Sequence, residues 1–176
     1  MERIEIPLSK TKTITMLIGS LGFVAIGIWF ITNPPHTENA FWSDPGKLKI
    51  VGYLSILFFG FTSVVLFRKL FDKKPGLIID EKGITDNSSG VSAGEIAWSD
   101  IEKITVIQIQ KQNMLLVHVS NPNEYIEKQK GSFKKHMMEM NYKLYQTPLS
   151  ITPNTLQISF SKLSTLLSTR LENSKK

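Results

Sequence analysis

The sequence predicts a membrane α-helical hairpin joined to an α+β domain of about seven short antiparallel strands. Three observations predict it. Two long runs carry no charged residue, Thr13 to His36 and Ile50 to Phe67. Beyond residue 74 the texture changes to short alternating segments separated by turn residues. The chain then closes on a helical pattern of leucines along one face.

Residues 1–12 read as an N-terminal segment on the cytoplasmic side. Within it "RIEIPL" alternates Ile4, Ile6 and Leu8. That suits an edge strand of the later domain or a segment lying at the membrane surface, and Pro7 is compatible with an edge. Residues 13–70 hold two spans, about 13–34 and 48–69, joined by a short outer loop. Each charge-free run is long enough to cross a hydrocarbon core of roughly 30 Å at about 1.5 Å per residue. Lys49 extends the second span by snorkelling. A cleavable signal peptide fits the first run less well, because its apolar stretch is too long and no small-residue cleavage site follows Thr32.

Basic residues set the orientation. Arg3, Lys10 and Lys12 precede the first span, and Arg68, Lys69, Lys73 and Lys74 follow the second. The loop between offers Lys47 and, at its edge, Lys49. Both termini are therefore expected in the cytoplasm, in a bacterial inner membrane. Trp29, Phe30, Phe41 and Trp42 suit the far interface, where amphipathic rings settle. Small residues on both helices (Gly19, Gly22, Ala25, Gly27; Gly52, Ser55, Gly60, Ser63) permit close packing. The packing can be within the hairpin or between copies, which leaves a homo-oligomer open. No ionisable group falls at mid-depth, so carrier and proton-relay functions have little support.

Residues 75–176 form the cytoplasmic domain. "GLIID" (76–80) and "GITDN" (83–87) flank a hairpin turn in which Gly83 is expected to supply a positive φ. "GEIAW" (94–98) is a short strand and "IEKITVIQIQ" (101–110) a longer one, with a phase slip between Val106 and Ile107 that predicts a bulge. "KQN" turns into "MLLVHVS" (114–120), and "PLSIT" and "TLQIS" follow later, joined by Pro153–Asn154. An inserted helix opens at "NPNE", where Asn121 can cap and Glu124 can complete a capping box. Gly131 breaks or kinks it, after which Phe133, Met137, Met140 and Leu144 form one apolar stripe. A last helix starts near Ser161 with Leu163, Leu166, Leu167 and Leu171 on its face.

Seven short antiparallel strands closed by a C-terminal amphipathic helix resemble the pleckstrin-homology-like barrel. The segment "GLIIDEKGITDNSSG…GEIAWSDIEKITV" resembles the opening of bacterial domains of that kind, which often follow a pair of membrane spans. "NPNEYI" and "TPLSITPNTLQISFSKLSTLL" are similar to one uncharacterised bacterial family of such two-span proteins. The resemblance covers most of the chain and its motifs are structural. It implies a seven-stranded pleckstrin-homology-like barrel with an inserted helix and a capping helix, serving as a membrane-anchored scaffold without catalytic residues to transfer.

Composition narrows the function. The net charge is +6, but residues from Pro75 onward contribute only twelve Lys and Arg against ten Asp and Glu. The excess lies where topology explains it, so nucleic acid is not an expected partner. The chain has no cysteine, which excludes disulfides, thiolate catalysis and Cys-based metal sites within it. His36, His118 and His136 are scattered, with no zinc-helix spacing. Ser132 and Lys135 share an S-x-x-K spacing, but that lysine looks solvated and protonated. Trp98–Ser99–Asp100 supplies no nucleophile with a base and an orienting partner, and reads as a barrel corner. No metal, cofactor or catalytic set is expected.

The remaining candidate site is a basic surface of Lys128, Lys130, Lys134 and Lys135 on the inserted helix, beside His136 and the methionines Met137, Met138 and Met140. It could contact anionic lipid or a protein partner, or it could be a solvated face. The expected function is a membrane-anchored, non-enzymatic protein-interaction module, of regulator or immunity type. The alternatives are a sensor of anionic headgroups and, less favoured, an enzyme of unseen mechanism.

Overall fold

The computed structural model describes residues 2–35 and 44–175; His36, Phe41 and Trp42 lie outside them. The chain divides into two units, one of residues 10–73 and one of residues 1–9 with 74–176.

The first unit is two helices, α1 (Lys10–Thr32) and α2 (Pro45–Leu70). Asp44 caps α2, its Oδ1 accepting from Gly46 N at 2.9 Å and Lys47 N at 3.4 Å, while Pro45 occupies the first turn, where no intrahelical donor is needed. Arg68 and Lys69 fall in its last turn, where the helix dipole favours cations. Both helices are long and apolar enough to cross a membrane, and in each only 11% of the most apolar window is buried. A core helix of a soluble protein would be mostly covered. Here large side chains such as Leu57 and Phe58 project outward on nearly every face.

The two helices pack antiparallel through small residues. A Cβ on Gly52 would stand 2.7 Å from the Gly27 carbonyl oxygen, and one on Gly27 would stand 2.9 Å from that of Gly52. Ser20 and Ser63 hydroxyls bond at 2.7 Å inside the interface, and Ser55 Oγ donates to the Phe23 carbonyl at 3.0 Å. Phe23 and Phe59 stack with ring centroids 4.4 Å apart. Gly27, Gly52, Ser55 and Ser63 thus pack within the hairpin, whereas Gly19, Gly22 and Gly60 have open space at their Cα atoms.

The second unit is α+β. Its strands are β1 (Ile4–Ile6), β2 (Leu77–Ile79), β3 (Gly83–Asp86), β4 (Gly94–Ala97), β5 (Ile101–Ile109), β6 (Gln112–Val119) and β7 (Leu149–Ile151). All pair antiparallel, in a four-stranded sheet ordered β1-β2-β3-β4 and a three-stranded sheet ordered β5-β6-β7. Among the described residues no strand pairing joins the two sheets, so they are not a closed barrel. Helices α3 (Pro122–Glu127) and α4 (Ser132–Tyr145) lie between β6 and β7, and α5 (Phe160–Ser174) ends the domain. Leu77, Ile79, Ile84 and Ile96 from one sheet, and Leu115, Val117 and Ile151 from the other, form the core with Leu163 and Leu167 of α5.

Strand membership differs from the sequence expectation at both ends. "RIEIPL" does supply a strand: Ile4 faces Ile79 and Ile6 faces Leu77, with Ile6 and Leu8 buried. "TLQIS" does not. Pro153–Thr155 forms a 3-10 turn, and Leu156 makes only an isolated bridge to Leu8. The bonds from Ser9 N to Thr155 O and from Gln157 N to Pro7 O are the ladder of that single bridge. The strand β1 comes before α1 in sequence while its partner β2 comes after α2, so the whole helical hairpin is inserted in the β1–β2 connection.

Four local expectations are corrected. Gly83 does not adopt positive φ; its hydrogen is required because a Cβ would collide with the Ile96 carbonyl of β4 and stand 2.9 Å from Ala97 Cα. The bulge in β5 falls between Ile101 and Lys103, while Val106 and Ile107 pair in regular register with Leu115 and Met114. The β5–β6 turn is Gln110–Lys111, with φ of 47° and 66°, rather than "KQN". Asn121 precedes α3 without a side-chain cap bond, and its Nδ2 donates to the Asp100 and Glu124 carboxylates.

Candidate interaction surfaces

Trp98–Ser99–Asp100 forms a 3-10 turn between β4 and β5. Trp98 is buried in the core, and its indole N–H donates to the Asp80 carbonyl at 2.9 Å. Asp100 faces α3: its Oδ2 accepts from the Tyr125 hydroxyl at 2.7 Å and from Asn121 Nδ2 at 3.4 Å. Ser99 Oγ donates to its Oδ1 at 3.1 Å. The Tyr125 hydroxyl holds the Asp100 carboxyl below the ordinary carboxylate range against the opposing effect of burial, with help from Ser99, Asn121 and the charge of Lys128. Burial, then the bond to Asp100, pushes the Tyr125 phenol up, so it stays protonated at neutral pH. A fixed carboxylate and a neutral phenol make a tie between the turn and α3, and activate no nucleophile. Asn121 Nδ2 also reaches Glu124 Oε2 at 3.1 Å, leaving its own Oδ1 buried without a partner among the described residues.

The four lysines of the inserted segment do not form one free patch. Lys128 Nζ sits 5.4 Å from the Tyr125 ring centroid, within cation–π range. Lys135 Nζ pairs with Glu127 Oε2 at 2.7 Å, and that bond raises its pKa. Lys134 is half-buried; desolvation lowers its pKa while the Asp86 carboxylate opposes the shift. Lys130 is exposed. The pairing of Lys135 with Glu127 also removes it as a base for Ser132, which is itself exposed.

The helix α4 turns a residue outside the apolar stripe toward the core. Its buried residue is Met138, at 0% exposure. The stripe of Phe133, Met137, Met140 and Leu144 faces outward, with Phe133 63%, Met140 40% and Leu144 63% exposed and Met137 half-buried. His136 is exposed on the same helix. His118 lies in β6, bonded to Thr105 Oγ1 at 2.9 Å, with its pKa lowered by desolvation first and by Lys103 second. Among the described residues no group of three or more His, Cys, Asp or Glu is placed to hold a metal ion.

Sequence reasoning did not single out the free edge of β5. This strand pairs with β6 on one side, and no strand pairs with its other side among the described residues. It is nine residues long, whereas β7, on the opposite side of β6, is three. Val106 and Ile109 are exposed along it. Near its start Lys175 Nζ donates to the Glu102 carbonyl at 2.7 Å, which shields one edge group. No family model, curated protein or solved structure matches this chain.

Proposed function

We propose that this chain is a membrane-anchored, non-enzymatic protein-interaction module, a regulator or immunity-type protein of the bacterial inner membrane. Its α+β unit is read as a pleckstrin-homology-like domain of the two-span family it resembles. Sheets of four and three antiparallel strands followed by a C-terminal helix support that reading. Two spans with both termini in the cytoplasm accord with the distribution of basic residues. The position of β1 adds a separate argument. Cleavage after α1, as in a signal peptide, would remove a paired strand and the buried Ile6 and Leu8.

The observation that carries the protein-binding reading is the long unpaired edge of β5. Unpaired N–H and C=O groups in strand register are complemented by another extended peptide, which adds to the sheet through main-chain bonds. A lipid headgroup offers no such ladder. The reading in which four lysines jointly bind headgroups has less support, since Lys128, Lys134 and Lys135 are engaged within their own domain.

Photo-crosslinking in native membranes tests the proposal, with a benzophenone amino acid placed at Val106 or Ile109 and, as a control, at Lys82. A discrete protein adduct from the β5 positions and none from the control is the expected result. Equal yields from all three positions, or no adduct from β5, would refute the edge as the contact.

A further inference from the structure

We infer that the outward face of α4 is an interfacial membrane helix, seated in an anionic leaflet and fixing the α+β unit against it. This goes beyond partner binding at β5, and uses a different surface. Phe133, Met140 and Leu144 lie at offsets of seven and four, so they form one line about 16 Å long at 1.5 Å per residue. An exposed row of large apolar side chains on a folded domain marks a surface that is covered in use. The charges around it select what covers it. From Lys130 to Gln146 the exposed residues include Lys130, His136 and Lys143 and no carboxylate; Glu139, the segment's one acidic residue, is half-buried. Exposed Glu127 of α3 stands beside α4 with its carboxylate paired to Lys135 at 2.7 Å. An apolar row bordered by cations on its own helix complements acyl chains beneath anionic headgroups.

The rest of α4 holds this face in place. Met138 is buried in the core and Tyr142 packs against it, so the outward row is presented by a fixed helix. Gln146, with φ of 60°, ends the helix just beyond Leu144, and the side chain of Thr147 then bonds to the Val117 carbonyl of β6. The chain also passes between its two units twice, at Ser9–Lys10 and at Lys73–Lys74, and the helical unit is the one suited to a bilayer. A leaflet is therefore covalently at hand, which a weak interfacial helix requires.

The absence of cysteine permits a clean test in the full-length chain. Met140→Cys and Leu144→Cys, with Glu95→Cys as control, are each labelled with an environment-sensitive fluorophore. The proteins are reconstituted into vesicles of phosphatidylcholine alone or with phosphatidylglycerol. At positions 140 and 144 the label should shift to the blue in phosphatidylglycerol vesicles and be quenched by lipid-borne nitroxides, while the label at 95 does neither. Replacing Lys130 or Lys143 by Glu should each reduce the docked-to-free ratio roughly fivefold or more, and added salt should do the same. Unquenched, unshifted labels at both positions in phosphatidylglycerol vesicles would overturn the inference. So would a shift that grows with protein density and ignores lipid charge, since a second copy would then cover the face.

Discussion

Replacing Tyr125 by Phe removes one oxygen and leaves a ring that is almost fully buried in place. The lost hydroxyl donates to Asp100 at 2.7 Å and accepts from Ala97 N at 3.4 Å. A hydrogen bond to a charged group contributes roughly 1.5–3 kcal/mol, and solvent screening at the half-buried Asp100 brings the expected loss to about 1–2 kcal/mol. Trp98, two residues from Asp100, is a natural reporter. In a Trp29→Phe, Trp42→Phe background its fluorescence follows urea unfolding of the α+β unit in detergent-solubilised full-length protein. The pH dependence supplies the sharper check. Asp100 is depressed in the folded state, so its stabilisation is complete above the ordinary value of 3.8 and disappears as pH falls through the lower folded value. Tyr125 is raised, so its contribution is complete below the ordinary value of 10.0 and disappears as pH rises through the higher folded value. The gap between parent and variant should be flat from about pH 5 to 9 and narrow below about pH 4. A variant within about 0.3 kcal/mol of the parent at neutral pH, or a gap unchanged by acid, would refute the tie.

Further outcomes follow from the packing. Gly52→Val drives a side chain into the Gly27 carbonyl and should part α1 from α2. Air-oxidised disulfide formation between Ser20→Cys and Ser63→Cys should then slow markedly relative to the glycine parent. Met138→Ala should cost about 2–4 kcal/mol in the same urea assay, while Met140→Ala should stay within about 0.5 kcal/mol; the reverse order would mean that α4 is turned the other way. Ile6→Asp places a charge where Ile6 faces Leu77 and should cost about 3 kcal/mol or more, read as accelerated proteolysis of the α+β unit.

What the sequence discloses here depends on how local the cause is. Runs without charge reveal α1 and α2, because their length and apolarity are properties of contiguous residues. Turn residues reveal β2 to β6 for the same reason, and Trp98–Ser99–Asp100 turns the chain from one strand into the next as its composition suggests, though not within a closed barrel. Periodicity finds an apolar line on α4, but it carries no information about which side the sheets occupy. Met138, five residues after Phe133, lies about 140° around the helix from it, and the core takes Met138. The surroundings of the lysine cluster are not legible either, because neighbours in sequence acquire different partners in space: Tyr125 for Lys128, Glu127 for Lys135, and the charge of Asp86 near Lys134. The free edge of β5 depends on its place at the end of the order β5-β6-β7, which alternation within β5 does not encode.

The insertion of the helical hairpin between β1 and β2 has a bearing on how the protein is made. A ribosome releases Ile4–Ile6 first and Leu77–Ile79 only after the entire Lys10–Lys73 unit has been synthesised. Throughout that interval the first strand has no mate. A chain that is clipped near its start, or whose hairpin cannot bring its two ends together, keeps Leu77 and Ile79 uncovered on one sheet edge, although both are fully enclosed in the finished fold. Completion of the sheet is thus a built-in certificate of assembly, and a protease that cuts exposed strands would remove the copies that lack it.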